Sequence, residues 1–327
     1  MTKEDLRIVF FGTPDFAVES LDALVKAGFN VAGVVTMPDK PAGRGQKVVF
    51  SPVKKYAIEH GLALLQPVRL KDEDFVEALR GLRADLFIVI AFRMLPEVVW
   101  TMPPLGTFNL HGSLLPRYRG AAPINRAIMN GDTETGVTTF FLKHDIDTGD
   151  IISRERIEVG PDEDAGSVHD RLMHIGAALT VDTVNHIIAG DLRTVPQSEL
   201  CGDEQPTPAP KIFKEDCRID WTRQSADIHN HVRGLSPHPA AWTELSTGEP
   251  SPLLSVKVLR TARTEAPAGL ELAPGQVALA AKKAWAGTAD CPIELVTVQP
   301  AGKRPMAGAD FLRGLRLSEK DGEIRFA

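Results

Sequence analysis

Asn109 and His111 stand two positions apart, and their chemical types suit oxyanion stabilisation and proton transfer. They lie in an apolar segment, 107–112, that is predicted to be a β-strand. Alternate residues of a strand point to the same face, so both side chains would project together. An amide can donate a hydrogen bond to an oxyanion, and an imidazole can move a proton near neutral pH. On spacing alone, the pattern favours two ordinary hydrogen-bonded residues at a strand end.

A second polar cluster contains three carboxylates, Asp145, Asp147 and Asp150. One of them could orient a histidine, as the acid of a catalytic triad does. They could also cap a turn or bind Ca²⁺, although the glycine and closing Glu of a calcium loop are not at the required positions. A metal site built from His111, His144 and Asp147 also stays open, without a recognised ligand spacing.

The turn after the first predicted strand, 12–15, stands where a dinucleotide-binding fold carries G-x-G-x-x-G. It holds one glycine, Gly12, which disfavours close approach of a pyrophosphate and therefore a nicotinamide cofactor. The turn is either a plain strand-to-helix connection or the wall of a site.

The segment 37–50 is long for a strand-to-helix connection, and it carries Lys40, Arg44 and Lys47 with Asp39 as its only acid. Unusually long loops in compact domains are often functional, and basic side chains suit phosphate groups. A flexible solvated loop explains the composition equally well.

The elements that must position these residues alternate between strands and helices, which predicts a parallel α/β sheet. In such sheets, sites lie at the carboxyl ends of the strands, where Asn109 and His111 are placed. Predicted strands are 6–11, 29–36, 62–65, 85–92, 107–112, 136–142 and 150–157. Thr13 is predicted to cap the first helix, which has Pro14 at its first position and ends at Gly28. Further predicted helices cover 52–61, 72–83, 123–130 and 167–189.

The composition changes after the long predicted helix. The stretch 202–210 contains three prolines and two acids, as in an exposed linker. One helix (225–233) and short strands (253–259, 275–280, 293–298) follow, which predict a small β-barrel or sandwich.

The 327 residues carry a formal net charge of −6 and are 43% hydrophobic, which excludes a mostly disordered chain. Three cysteines without a C-x-x-C pair disfavour a disulfide framework and fit a reducing cytosol. The run 86–92 is the longest apolar run and is far shorter than the roughly 20 residues of a membrane span. The slightly basic part beyond residue 208 is a weak indication of a polyanionic partner.

Taken together, the chain resembles the methionyl-tRNA formyltransferase family over nearly its whole length. The segment 109–123 is typical of transferases that use formyltetrahydrofolate, and the basic loop with the C-terminal matches narrows the likeness to the tRNA enzymes. The matching segments are 11–16, 39–45, 109–123, 135–138, 147–150, 218–221 and 299–303.

The resemblance implies an α/β fold: a Rossmann-like parallel-sheet catalytic domain (1–189), a linker (190–210) and a smaller OB-like β-barrel (211–327) that also contacts tRNA. It implies three sets of site residues. These are a catalytic set of Asn109, His111 and Asp147; a folate set of Ser113, Leu114, Leu115 and Pro116; and a tRNA set of Lys40, Arg44 and Lys47.

The resemblance further implies 10-formyltetrahydrofolate as co-substrate, initiator methionyl-tRNA as acceptor, and a cytoplasmic location. We expect no metal, no membrane association and no obligate protein partner. Alternatives are a 10-formyltetrahydrofolate hydrolase, a sugar-amine formyltransferase, a non-catalytic tRNA-binding protein and a nucleotide-dependent oxidoreductase. One segment, 91–96, is shorter than its family counterpart and has Arg93 at or near the family's glycine.

Overall fold

The computed structural model describes residues 1–42, 47–200, 206–246, 254–315 and 325–326. The chain forms two compact units. The first unit comprises Met1–Pro123, Thr135–Ile157 and His169–Ala209, and the second comprises Ile124–Glu134, Glu158–Val168 and Pro210–Ala327.

The first unit is built on a seven-stranded sheet with the order β10-β9-β7-β6-β1-β2-β5. Its strands are β1 (Arg7–Gly12), β2 (Asn30–Val35), β5 (Leu64–Leu65), β6 (Leu86–Ile90), β7 (Thr107–His111), β9 (Glu134–Phe141) and β10 (Ile151–Glu158). Two small two-stranded pairs accompany it: β3 (Lys40–Ala42) with β4 (Lys47–Val49), and β8 (Arg119–Gly120) with β11 (Pro208–Ala209).

In the described part of the chain, six helices follow or connect these strands: α1 (Asp15–Lys26), α2 (Pro52–Glu59), α3 (Glu73–Gly81), α4 (Glu97–Trp100), α5 (Pro123–Met129) and α6 (Ala165–Ala189). Beyond Pro123, α5 belongs to the second unit, as does the start of α6 up to Val168. The first two helices begin differently from one another. Ser51 caps α2 by accepting a hydrogen bond from Lys54 N at 3.0 Å. The prediction that Thr13 caps α1 is wrong, because Pro14 occupies the cap position and no side chain caps the helix.

The predicted α/β fold class is confirmed. Five neighbouring strands of the sheet, in the spatial order β7, β6, β1, β2 and β5, run parallel to one another. The central strands are buried on both faces, which explains their uninterrupted apolar sequences. Beyond β7 the sheet is mixed, since β9 runs antiparallel to β7. An apolar run does not disclose the direction of its strand, so the sequence pattern could not predict this reversal.

Gly12 at the end of β1 is required by packing. A Cβ there would lie 2.6 Å from the Ala17 Cβ and 2.8 Å from the Phe10 ring. The single glycine of this turn therefore serves the close approach of α1 to β1.

The second unit contains a helix, α7 (Ser225–Leu235), and an antiparallel sheet with the order β14-β15-β16-β13-β12-β18. Its elements are β12 (Ala241–Ser246), β13 (Leu254–Ala262), β14 (Val277–Ala280), β15 (Lys283–Ala286), β16 (Ile293–Pro300), β17 (Met306–Ala307), α8 (Gly308–Gly314) and β18 (Arg325–Phe326). Phe326 N donates to Gly275 O at 2.7 Å, and this contact nearly closes the sheet into a barrel. The predicted β-barrel is thereby confirmed.

Among the described residues, α6 alone is long and apolar enough to cross a membrane by length and composition. The core helix of a soluble protein passes the same test, and α6 buries Val168, Leu172 and Val184 completely.

Candidate active site

The histidine predicted to be catalytic ends β7, and its two ring nitrogens face different groups. His111 is 7% exposed, and its Nε2 lies 2.8 Å from the Tyr118 carbonyl oxygen. Because a carbonyl only accepts hydrogen bonds, Nε2 carries the proton in the neutral ring. Its Nδ1 lies 3.8 Å from Asp147 Oδ2, beyond hydrogen-bond distance but within ion-pair distance. The geometry leaves Nδ1 as the nitrogen that can accept a proton.

Asp147 is brought to His111 from a loop 36 positions further along the chain. Its backbone adopts the left-handed conformation, with φ of 53°. Its carboxylate accepts a hydrogen bond from Gly120 N at 2.8 Å, and its carbonyl accepts one from Gln197 Nε2 at 2.8 Å. The structure thus places the predicted acid beside the predicted base.

Asn109 lies two residues before His111 on the same strand, opposite Phe140 of β9. Its side chain is half-buried, and no other described residue hydrogen-bonds its carboxamide. The amide therefore keeps its N–H groups available to an incoming oxygen.

Ser113 to Pro116, the predicted folate residues, form a turn that is held from two sides. Thr138 Oγ1 donates to Ser113 O at 2.6 Å and accepts from Leu115 N at 3.1 Å, and Arg154 Nη1 donates to Leu115 O at 3.1 Å. The Leu115 side chain is fully buried, in a cluster with Phe140 and Ile151.

Within this turn, the Leu114 side chain is partly exposed, whereas those of Ser113, Leu115 and Pro116 are buried. Ser113 Oγ already donates to the Arg117 carbonyl at 2.6 Å. Any ligand contact from the three buried residues would therefore use the main chain.

The predicted tRNA residue Arg44 lies outside the described residues, as do the side chains of Lys40 and Lys47. Side-chain contacts join the two ends of this loop. Asp39 Oδ2 lies 2.5 Å from the Nζ of Lys54, which is largely buried, and this hydrogen bond lowers the pKa of the Asp39 carboxyl. Thr36 Oγ1 and Ser51 Oγ lie 2.9 Å apart, so the two ends of the loop are joined a second time.

Arg93, the departure from the family pattern, ties two loops at the carboxyl edge of the sheet. Its guanidinium donates to the carbonyls of Pro67 and Val68 and lies over the Phe92 ring. Burial lowers the pKa of this guanidinium. Its Nη1 and Nη2 are thus committed to main-chain carbonyls, whereas its buried Nε has no hydrogen-bond partner among the described residues.

Sequence reasoning missed Tyr118, Gly120 and Gln197, whose contacts hold His111 and Asp147. Gly120 has a φ of 127°, and a Cβ there would lie 2.5 Å from Ala209 O. This approach arises because β8 pairs with β11, so part of the predicted exposed linker is buried against the site. The 109–123 motif contains Tyr118 and Gly120, but no local pattern distinguishes Gln197.

No group of three His, Cys, Asp or Glu within the described part of the chain could hold a metal ion. His144 lies beside Asp145, with Nδ1 and Oδ1 3.6 Å apart, and both are exposed. The structure gives no support to a metal site built from His111, His144 and Asp147.

Comparisons with known proteins show the family to which the chain belongs. Residues 6–184 match the formyl transferase family, and residues 211–316 match the formyl transferase C-terminal domain. The methionyl-tRNA formyltransferase of Bacteroides fragilis is 53% identical over 320 residues, 98% of each chain. That of Parabacteroides distasonis is 54% identical over 320 residues, 97% of this chain and 98% of the relative.

Two solved structures show the same fold at low identity. The N-formyltransferase from Helicobacter canadensis, solved with folinic acid and dTDP-3-aminofucose, has a TM-score of 0.64 at 20% identity, over 89% of this chain and 98% of its own. HypX from Aquifex aeolicus, solved with tetrahydrofolic acid, has a TM-score of 0.62 at 19% identity, over 94% of this chain and 47% of its own. The sequence relatives are much more similar, at 53–54% identity over nearly the whole chain. This chain therefore belongs to the methionyl-tRNA formyltransferase family of formyl-transferring enzymes.

Proposed function

We propose that this chain transfers the formyl group of 10-formyltetrahydrofolate to the α-amino group of initiator methionyl-tRNA. The observation that carries the proposal is the meeting of an amide, an imidazole and a carboxylate at the end of β7 (Asn109, His111 and Asp147) in a chain about half identical to methionyl-tRNA formyltransferases. The product would be formylmethionyl-tRNA for the initiation of translation, which would be formed in the cytoplasm.

Asn109 would stabilise the negative charge that develops during transfer. The α-amine attacks the formyl carbon, a C–N bond forms, and the carbonyl oxygen becomes an oxyanion. The half-buried carboxamide of Asn109 has N–H groups free of other described partners and can donate to that oxygen. Loss of one such donor typically costs about 10²–10³ in rate.

His111 would take the proton from the attacking amine on Nδ1, because Nε2 is engaged by the Tyr118 carbonyl. The imidazolium formed in this way lies beside the Asp147 carboxylate, 3.8 Å from Nδ1. When the intermediate collapses, the bond between the formyl carbon and N10 of the folate breaks, and N10 receives the proton from His111. General acid–base assistance of this kind typically contributes about 10²–10⁴ in rate.

The folate would rest against the main chain of Ser113 to Pro116 and the partly exposed Leu114. This placement is supported by the rigid hydrogen bonding of that turn and by its position directly after His111. The basic loop, with Lys40, Arg44 and Lys47, would contact the acceptor end of the tRNA, and the barrel would provide a further tRNA contact.

Two alternative chemistries would use the same formyl donor. A hydrolase would release formate from the folate without an acceptor, and a sugar formyltransferase would modify an amino sugar. The Helicobacter and Aquifex structures are only 19–20% identical to this chain, whereas the tRNA-enzyme relatives are 53–54% identical. The comparison favours the tRNA substrate.

The test is a formylation assay with charged initiator tRNA, with and without 10-formyltetrahydrofolate, and with dTDP-amino sugars as competing acceptors. We expect formyl transfer to methionyl-tRNA only when the folate is present, with little formate release in the absence of tRNA. Rapid formate release without tRNA, or transfer to the sugar in preference to the tRNA, would contradict the proposal.

A further inference from the structure

Gln197 is a buried amide whose hydrogen bonds converge on the candidate acid. It lies in a short 3₁₀ helix, Gln197–Glu199, beyond α6, and it is 3% exposed. Its Nε2 donates to Asp147 O and to Gly149 O, both at 2.8 Å. Both amide hydrogens of Gln197 are therefore committed to the loop that carries Asp147.

The other end of the same amide holds the turn that faces Asp147. Arg119 donates from Nε at 3.0 Å and from Nη2 at 2.6 Å to Gln197 Oε1. The next residue, Gly120, donates its N–H to the Asp147 carboxylate. The contacts thus form a closed ring that runs from Gln197 through Asp147, Gly120 and Arg119 back to Gln197.

His111 is fixed by the same turn, because its Nε2 donates to the carbonyl of Tyr118, one residue before Arg119. The short segment 118–120 therefore contacts both the candidate base, His111, and the candidate acid, Asp147. Gln197 joins this segment to the Asp147 loop through two carbonyls and one guanidinium.

The backbone of Asp147 needs such support. A residue with a Cβ seldom adopts positive φ, and Asp147 has φ of 53°. A buried carbonyl that loses its donor also loses favourable free energy. Without the two hydrogen bonds from Gln197, the loop would be held less firmly in the conformation that places the Asp147 carboxylate near His111.

We propose that Gln197 is a positioning residue that sets the separation of His111 and Asp147. The inference rests on the proposed function for its kinetic consequence, although not for its structural one. Gln197 lies between the two family-matched stretches, 6–184 and 211–316, in the segment 190–210 that the family resemblance implies to be a linker.

The test uses Gln197→Glu and Gln197→Leu, with Gln299→Leu as the matched control. Glutamate has the same shape and keeps an acceptor for Arg119, but it has no donor for the two loop carbonyls. Gln299 also donates to a main-chain carbonyl, that of Lys303 at 2.9 Å, but it lies in the second unit. Melting temperatures of all variants are measured alongside.

For both Gln197 variants we expect kcat to fall about 10–100-fold, while KM for methionyl-tRNA and for the folate changes less than about twofold, as expected for a misplaced catalytic group. If Gln197 only stabilised the fold, its variants would have a lower melting temperature without a selective fall in kcat at unchanged KM. Combining Gln197→Leu with Asp147→Ala should lower kcat no further than Asp147→Ala alone. Full kcat in Gln197→Glu, or losses that multiply in the double variant, would overturn the proposal.

Hydrogen exchange at the Gly120 amide gives a readout without any reaction. This amide is bonded to the Asp147 carboxylate, so its exchange should accelerate at least about tenfold in both Gln197 variants and stay unchanged in Gln299→Leu. Unchanged exchange in Gln197→Glu would refute the positioning role even if the formylation assay succeeds. If the wild type fails to formylate methionyl-tRNA, the proposed function fails, while the exchange measurement still decides the role of Gln197.

Discussion

At the scale of the residue, the two ring nitrogens of His111 face different groups. The Tyr118 carbonyl fixes the proton on Nε2, which leaves the lone pair of Nδ1 on the side of the ring that faces Asp147. The residue types alone indicate an imidazole beside a carboxylate. They do not indicate which ring nitrogen of His111 can accept a proton, because that depends on the main-chain carbonyl of Tyr118, seven positions away.

Asn109→Ala should lower kcat about 10²–10³-fold, because it removes the donor to the oxyanion. The affinity for tRNA should stay unchanged, since the half-buried amide is not part of the basic loop. Single-turnover formyl transfer and a separate tRNA-binding titration measure the two effects. Asn30→Ala, which removes a surface contact to the Glu4 carbonyl, is the control, and a comparable loss there would remove the specific role of Asn109.

At the scale of the element, the pairing of β8 with β11 brings a segment from beyond α6 against the active-site turn. Ala209 O approaches Gly120 so closely that a side chain at position 120 would displace one of them. The site therefore depends on a short parallel pair of only two residues per strand.

Gly120→Ala should lower both kcat and thermal stability. Its Cβ would lie 2.5 Å from Ala209 O, at a φ of 127° that alanine rarely adopts. Gly81→Ala at the end of α3 is the matched control, because nothing lies within 4 Å of its added Cβ. Circular dichroism melting and the formylation assay compare the two, and equal behaviour would argue against the close approach of β11.

The basic loop is an element whose base is joined by side chains. We expect Arg44→Ala to raise KM for methionyl-tRNA at least about tenfold, consistent with loss of a charged phosphate contact, while the folate KM is unchanged. Asp39→Asn should produce a smaller effect of the same kind, because it weakens the contact with Lys54 at the base. Arg80→Ala on α3 is the surface control. An equal response in Arg80→Ala would contradict the assignment of the loop.

The elements that the sequence predicts best are those with uniform patterns. The all-apolar run of β6 and the Ser51–Pro52 start of α2 are recognisable locally. The pattern does not predict β12, whose inward-facing positions include the hydroxyl of Thr243, or β15, which has four residues beginning with Lys283. In these strands the partner strands, rather than the local sequence, supply the stability.

At the scale of the whole molecule, each unit is completed by contacts between residues that are far apart in the sequence. The first unit gathers its candidate site at one strand end from residues as far apart in the chain as Asn109 and Gln197, a separation of 88 positions. The second unit closes its sheet at Phe326, whose ring stacks on Trp221 with centroids 5.1 Å apart. Sequence motifs could select Asn109 and His111 as candidates, but Gln197 reaches Asp147 through a long-range hydrogen bond that a local pattern does not contain.

The second unit should lose stability as the pH falls. Burial lowers the pKa of His229, which is hydrogen-bonded to Thr261 and to the Pro161 carbonyl, and of His231. The unfolded chain, with histidine pKa near 6.5, then binds protons that the folded unit excludes. Full stability is present above about pH 6.5 and is lost progressively below it.

Urea unfolding at pH 7.5 and pH 5.5 measures this loss, and His229→Gln should reduce the difference between the two pH values. His174→Gln is the control, because His174 is exposed on α6 beside Glu19. An unchanged pH dependence in His229→Gln would show that His229 is not responsible.

The central claim is that Asn109, His111 and Asp147 act as one catalytic centre. The most direct measurement is the single-turnover rate of formyl transfer to charged initiator tRNA by wild type, His111→Ala, Asp147→Asn and the double variant. We predict that each single variant is slower by at least about a hundredfold, and that the double variant is no slower than the slower of the two. A near wild-type rate in either single variant, or losses that multiply in the double variant, would contradict the account.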